Sequence, residues 1–241
     1  MHTKTTCPPI TGGIALFLDF DGTLAPLQDD PGAVHLSPQQ LKFIEAMSRK
    51  LSNALAIVSG RDVRDLSKRV PATVWRAGSH GLEICAPGDT ADYEAKPAPP
   101  FLLKAINSIV AAHLGTRLEQ KGEVLAIHFR TVPDLESAVV QQVDSILKAY
   151  PSYKYQAGKY VLEAKPKRAN KGKAIEDMLS HAPFAGRTPV MVGDDTTDED
   201  AMGVVEKLGG WSVKVGDGSS VAQYRLNAPE NVWHWLSEGA L

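Results

Sequence analysis

Short, continuous apolar runs that stop at a glycine or an acid constrain this chain most. "IALFLDF", "ALAIVSG" and "TPVMVGDD" are of this kind. A strand that is apolar at successive positions suits a sheet covered on both faces rather than one with a wet side. Helical patterns lie between the runs. "SPQQLKFIEAMSRKL" opens with Ser37 as N-cap and Pro38 in the first turn, and Leu41, Ile44, Met47 and Leu51 follow one stripe. "RDVRDLSKRV" reads as a short polar helix, and "TVWRAGSHGLEI" as a third strand with a tight turn. Strand and helix alternating in this order predict an α/β fold, a doubly wound parallel sheet of Rossmann-like type.

The rhythm breaks at "EAKPAPPF", where Pro97, Pro99 and Pro100 mark a linker. Beyond it, "FLLKAINSIVAAHL" reads as a helix with Leu102, Ile106, Ile109 and His113 on one side. "RLEQKGEVLAIHFR" follows as a hairpin turning near Gly122, then a second amphipathic helix, then the hairpin "YKYQAGKYVLEA" turning near Gly158. The α/β rhythm resumes with a helix from about Gly172, the strand "TPVMVGDD", the helix "DEDAMGVVEKLG" and a last strand, "WSVKVG". The expected organisation is a discontinuous core, residues 1–100 and 165–241, with a smaller α+β module, 101–164, inserted in it. Trp211, Trp233 and Trp235 are expected to cover the core.

Composition excludes several classes. The 241 residues are 43% hydrophobic and 22% charged with a net charge of −2, an ordinary globular balance. That charge gives no reason to expect nucleic acid or an anionic membrane as partner. "YPSYKYQAGKY" therefore reads as strand-face aromatics rather than a stacking platform for single strands. The start lacks the charged-then-apolar order of a signal peptide, and the first apolar run is too short to cross a bilayer. A cytoplasmic monomer is expected. Cys7 and Cys85 make no disulfide framework.

Polar residues gather where strands end. Asp19 and Asp21 close the first run, Ser59 follows the second, and Asp194, Asp195 and Asp198 follow "PVMVG", while Lys171 precedes a helix start. In open parallel sheets ligands sit beyond the carboxyl ends of the strands, so these groups can converge on one crevice. Asp19, Asp21 and Asp194 offer oxygen ligands for a hard octahedral cation, Mg²⁺ before Ca²⁺. With Lys171 as point charge and Ser59 as donor, the set describes a phosphate site. The first strand then exists to present a nucleophile.

"DFDGTLAP", "VSGR", "NKGKA" and "GDDTTDEDAM" resemble the four ordered motifs of the haloacid dehalogenase phosphatases, over nearly the whole chain. The resemblance implies a catalytic core of that type with an inserted cap. It implies that Asp19 attacks phosphorus and that Asp21 protonates the leaving alkoxide and then activates water. Ser59 and Lys171 would hold the phosphoryl group. Mg²⁺ would bind Asp19, the backbone carbonyl of Asp21, Asp194 and, through water, Asp198.

The inserted module must decide the substrate. Leu125, Ile127 and Phe129 point to one face of their strand, and Ala126, His128 and Arg130 to the other. Glu119 and Lys121 also share a face, and Glu163 can join them from the second hairpin. A solvated sheet face explains this pattern as well as a binding patch does. "EQK", "AIHFR", "VLEAKP", "GSHG" and the doubled Asp of "GDDTTDEDAM" resemble the trehalose-6-phosphate phosphatase family. The resemblance implies that Glu119, Lys121, Arg130 and Glu163 grip the glucose unit remote from phosphate. His80 is expected at the junction of core and cap or as a structural turn residue. Arg61 is expected to approach the phosphate or, preferably, to cap the following helix. Three rivals stay open: a phosphatase of another sugar phosphate, of the sucrose phosphate or mannosyl phosphoglycerate type; a phosphomutase; and a non-catalytic domain that senses a sugar phosphate or binds a partner.

Overall fold

The computed structural model describes residues 6–91, 94–158 and 160–238, and the chain divides into two compact units. The first comprises Met1–Asp92 with Asn170–Leu241, the second Tyr93–Ala169. Among the described residues, no helix is long and apolar enough to cross a membrane.

In the first unit the chain runs through β1 (Ile14–Leu18), α1 (Pro38–Lys50), β2 (Leu55–Val58), α2 (Val63–Leu66), β3 (Trp75–Gly78) and β4 (Glu83–Cys85). The second unit holds α3 (Pro100–Ala112), β5 (Arg117–Lys121), β6 (Val124–His128), α4 (Glu136–Leu147), β7 (Tyr153–Gly158) and β8 (Val161–Pro166). The first unit then resumes with α5 (Lys171–Leu179), β9 (Thr188–Gly193), α6 (Thr196–Lys207), β10 (Trp211–Val215), β11 (Tyr224–Leu226) and α7 (Pro229–Glu238).

The strands of the first unit form one sheet in the order β11-β10-β9-β1-β2-β3-β4. Every pair is parallel except β3 with β4, so the expected parallel sheet carries one antiparallel edge. The chain builds outward from β1 on one side and from β9 on the other, which makes the β1–β9 seam the switch point of the sheet. All five residues of β1 are buried, because alternate side chains enter two different cores. Leu16, Leu18, Val190 and Val192 pack with Ile44 and Met47 of α1 and with Val232, Trp235 and Leu236 of α7. Ala15, Phe17 and Met191 pack with Ile175 and Met178 of α5 and with Met202 and Val205 of α6. The sheet is doubly wound for that reason. Ser37 caps α1 as expected, in a reciprocal box with Gln40.

Neither β11 nor α7 is among the elements expected from the sequence. The tryptophans of α7 do cover the core, and they also fasten neighbouring backbone. Trp235 Nε1 donates to the carbonyl of Pro8 and Trp233 Nε1 to that of Leu24, each at 2.9 Å.

In the second unit both hairpins form, and all pairs in the order β5-β6-β8-β7 are antiparallel. Leu125, Ile127, Leu162 and Ala164 pack on Leu102, Ile106 and Ile109 of α3 and on Val139 and Val143 of α4. His113 does not extend that stripe, since the helix ends at Ala112 and His113 is its extended C-cap. Pairing of Tyr153 with Pro166 keeps 164–166 inside β8.

Candidate active site

Asp19 directly follows β1, Ser59 follows β2 and Asp194 follows β9, so three side chains are delivered to one rim of the sheet by parallel neighbours. The backbone N–H of Asp19 still donates to Val192 across the seam, 2.9 Å, which fixes the nucleophile candidate at the strand end. The chain then turns at once: Gly22 donates to the Ala25 carbonyl at 2.7 Å with φ of 82°. A Cβ at Gly22 would lie 2.1 Å from Asp194 Oδ2, so glycine there lets the two acidic loops close on each other. Thr23 Oγ1 reinforces the approach by donating to Asp194 Oδ1 at 3.3 Å.

Lys171 begins α5, whose N-cap is Asn170, and it is 3% exposed. Its Nζ donates to Asp19 Oδ1 at 2.5 Å and to Asp198 Oδ1 at 2.7 Å. The other oxygen of Asp198 accepts the backbone N–H groups of Asp194 and Asp195, each at 3.0 Å. Asp198 thus braces the loop that carries Asp194. Asp195 is the N-cap of α6, and Asp200 accepts from Asn170 at 2.7 Å, so both support the loop and the helix starts.

Asp19, Asp194 and Asp198 bring carboxylate oxygens within 4.8 Å of one another. Burial pushes Asp19 well above the usual carboxylate range, against the pull of Lys171. Burial, with Asp198 and Asp195 adding repulsion, raises Asp194 to about 7. Against its burial, Asp19, Asp198 and Asp195 hold Lys171 far above an ordinary lysine. Two buried ammonium groups, Lys171 and Lys214, stand near three carboxylates, which leaves excess negative charge in a dry place, and an all-oxygen set of that kind fits a hard divalent cation. Asp21 stands outside this carboxylate group.

Asp21 and Arg61 form a fork: Nε to Oδ2 and Nη2 to Oδ1, both 2.7 Å. Arg61 also donates to Asp65 at 2.7 Å and to the Pro31 carbonyl at 2.9 Å, and its plane lies over the Phe20 ring. The expected helix-cap role for Arg61 fails, because Asp62 caps α2 and an arginine side chain carries no acceptor for a cap. Ser59 is buried, and its Oγ accepts from Arg61 N at 3.1 Å, which leaves its own proton to donate. His80 is buried in the first unit at a φ of 59°, and its N–H donates to the Ser59 carbonyl at 3.0 Å. It buttresses the Ser59 turn.

One partner escaped the sequence analysis. Lys214, 5% exposed in β10, donates from Nζ to the Asp194 carbonyl. A lysine inside the apolar run "WSVKVG" was the available signal, since a buried ammonium needs an acidic or carbonyl partner.

In the second unit, the register sets Glu119 opposite Ala126 and Ala126 opposite Glu163. Lys121 Nζ donates to Glu163 at 3.3 Å, and His128 Nε2 meets Glu119 Oε2 at 2.7 Å. The His128 hydrogen bond holds the Glu119 carboxyl below its usual range, against partial burial. Three of the four sugar-binding candidates therefore share one sheet face around the small, buried Ala126. Arg130 lies two residues beyond the end of β6, exposed, with its guanidinium over the Tyr160 ring. His128, which the sequence analysis placed on this face but gave no role, is the fourth member of the face.

The trehalose-phosphatase family model matches residues 17–230. The trehalose-6-phosphate phosphatase of Escherichia coli (strain K12) is 36% identical, over 96% of this chain and 88% of its own length. Among solved structures, the C-terminal domain of Candida albicans trehalose-6-phosphate phosphatase is similar with a TM-score of 0.78 at 23% identity, covering 95% of this chain and 92% of that one. The C-terminal domain of the Candida albicans trehalose synthase regulatory protein reaches 0.71 at 12% identity, covering 94% of each chain. Those two likenesses carry the fold alone. With a family model spanning the whole site and a relative aligned nearly end to end, the chain belongs to the trehalose-phosphatase family.

Proposed function

We propose that this protein is a Mg²⁺-dependent phosphomonoesterase that hydrolyses trehalose 6-phosphate to trehalose and phosphate, as a monomer in the cytoplasm. The observation that carries the proposal is the Lys171 ammonium bridging Asp19 and Asp198, with Asp194 beside them, from segments far apart in the chain.

Asp19 is the nucleophile: a carboxylate oxygen forms a bond to phosphorus while the bond from phosphorus to the sugar oxygen breaks. Asp21, protonated once it is out of the Arg61 fork, gives its proton to the departing alkoxide. In the second half, Asp21 takes a proton from water, the water oxygen bonds phosphorus, and the acyl-phosphate bond breaks to restore Asp19. Lys171 and the Ser59 hydroxyl hold the phosphoryl oxygens, and Arg61 orients the Asp21 carboxylate. Asp19, Asp194 and the backbone carbonyl of Asp21 would hold the cation, with Asp198 reaching it through water. When bound, Mg²⁺ supplies charge neutralisation for the phosphoryl group.

Glu119, Lys121, Glu163 and Arg130 are proposed to bind the glucose unit remote from phosphate, with Tyr93–Ala169 acting as the cap. Carboxylates and ammonium groups suit hydroxyls that both donate and accept. The rival of another class is a non-catalytic domain that senses a sugar phosphate or binds a partner. The buried Asp19–Lys171 pair argues against it, because a binding module has no use for so costly a carboxylate.

Phosphate release from trehalose 6-phosphate, sucrose 6-phosphate and glucose 6-phosphate, with and without Mg²⁺, tests the proposal. The expected result is Mg²⁺-dependent release with trehalose 6-phosphate preferred in kcat/KM. Equal kcat/KM on glucose 6-phosphate would remove the disaccharide assignment, and no release from any substrate would remove the enzyme.

A further inference from the structure

The catalytic proposal leaves the sugar ring that carries the phosphate without a seat. The first unit has an open depression of about 320 Å³ beside Asp194 and Gly22. It is lined by Pro26 and Leu27 after the Asp21 turn, by Asp217 after β10, and by Asn227 and Pro229 after β11. Since β10 and β11 run parallel to β9 and β1, their carboxyl ends open on the rim that bears Asp19 and Asp194. The volume lies at the lower end of the range for small-molecule sites, about 300–1,000 Å³.

The lining is of two kinds. Leu27 is 64% exposed, an apolar side chain in the open next to a charged centre. Opposite in character are Asp217 and Asn227, both exposed, and among the described residues no hydrogen bond or ion pair engages either side chain. The turn that presents Asp217 is fixed by other means. Gly216 and Gly218 take φ of 76° and 94°, and Arg225 donates to both of their carbonyls. A rigid turn thus offers a carboxylate that nothing in the fold requires.

We infer that this depression is the subsite for the phosphate-bearing pyranose ring, with the ring's C–H face on Pro26 and Leu27 and its hydroxyls on Asp217 and Asn227. The inference rests on the phosphatase proposed above and deepens it. A carboxylate accepts from hydroxyls, an amide both accepts and donates, and an apolar floor takes the face of the ring that has neither. Asp217 also disfavours a ligand bearing a second anionic group on that ring, so the class selected is a neutral pyranose 6-phosphate.

The near ring is common to two substrates and absent from a third, which makes the test. Asp217→Ala, Asn227→Ala and the double variant are assayed on trehalose 6-phosphate, glucose 6-phosphate and p-nitrophenyl phosphate. Relative to the aryl phosphate, kcat/KM should fall about ten-fold or more on both sugar phosphates, because both carry the near ring. Loss confined to trehalose 6-phosphate would overturn the inference by moving these residues to the remote ring. An unchanged ratio, whether all three substrates fall together or none does, would overturn it too. Failure of the parent proposal looks different: the unsubstituted enzyme itself would not prefer a sugar phosphate to the aryl ester.

Discussion

The chain carries two clusters of acidic side chains, one in each unit, and their electrostatics run in opposite directions. In the core, burial and mutual repulsion lift Asp19 and Asp194 out of the usual carboxylate range, and the contacting Lys171 does not offset the cluster. On the cap sheet, Glu119 is pulled below its usual range by His128, and Lys121 answers Glu163. A site left negative in the dry state is completed by a cation. A site that balances itself needs none, and presents paired donors and acceptors to a neutral ligand. The charge balance of a site is thus a statement about the charge of its occupant, and under the proposed function it would separate the phosphate end of the reaction from the sugar end.

The largest effects should fall on the unbalanced cluster, and with opposite sign for its two kinds of member. Asp19→Asn and Lys171→Met should each reduce phosphate release to background. On stability they should part company. Asp19→Asn removes one charge from an overfull site, so the melting temperature without cation should hold or rise. Lys171→Met leaves buried carboxylates without their counter-charge, at a cost of about 3–5 kcal/mol. Denaturant unfolding of both variants checks this, and equal destabilisation would mean the core cluster is balanced after all.

A smaller effect follows from pH. Without cation, Asp194 has a folded value of about 7 against an ordinary 3.8. Between those values the folded chain holds a proton that the unfolded chain lacks. Stability should therefore fall as pH rises from about 4 to about 7 and stay low above, with Asp19 acting in the same direction. Glu119 has the opposite shift: its contribution is present above the ordinary 4.5 and is lost only as pH falls through its lowered folded value. Melting temperatures at pH 5.5 and 8.5 in chelator check this, since Glu119 stays ionised across that interval. Mg²⁺ should remove most of the difference by binding the ionised form. A flat profile in chelator would contradict the excess charge.

Much of the contrast was legible in the sequence, for reasons that differ by residue. Asp19, Ser59 and Asp194 could be placed because each follows an apolar run, and the sheet delivers strand ends to one rim. Glu119 and Glu163 could be set on one face because hairpin register follows from turn position and period two. The Asp21–Arg61 fork could not be read, because 40 residues separate the partners and only the packed β1 and β2 ends bring them together. Nor could β11, three residues long and only part-buried, with no alternation long enough to count. By contrast α7 was legible and missed: Val232, Trp235 and Leu236 have helical spacing after Pro229.

The smallest effect, and the sharpest on the cap side, concerns Glu119 and its partner. If the cap face binds sugar, Glu119→Ala should lower kcat/KM for trehalose 6-phosphate about ten-fold relative to p-nitrophenyl phosphate, as expected when a site loses one hydrogen-bonding group to a substrate hydroxyl. His128→Ala should give a weaker version of the same loss, since His128 fixes the Glu119 carboxylate through their 2.7 Å hydrogen bond. The two losses should not add in the double variant, because the histidine acts through the glutamate. Neither variant should shift the Mg²⁺ dependence, as the balanced cluster contributes nothing to the unbalanced one. Equal losses on the sugar and aryl phosphates would instead make the Glu119–His128 pair a brace for the β5–β6 hairpin, and the sugar would have to be held elsewhere.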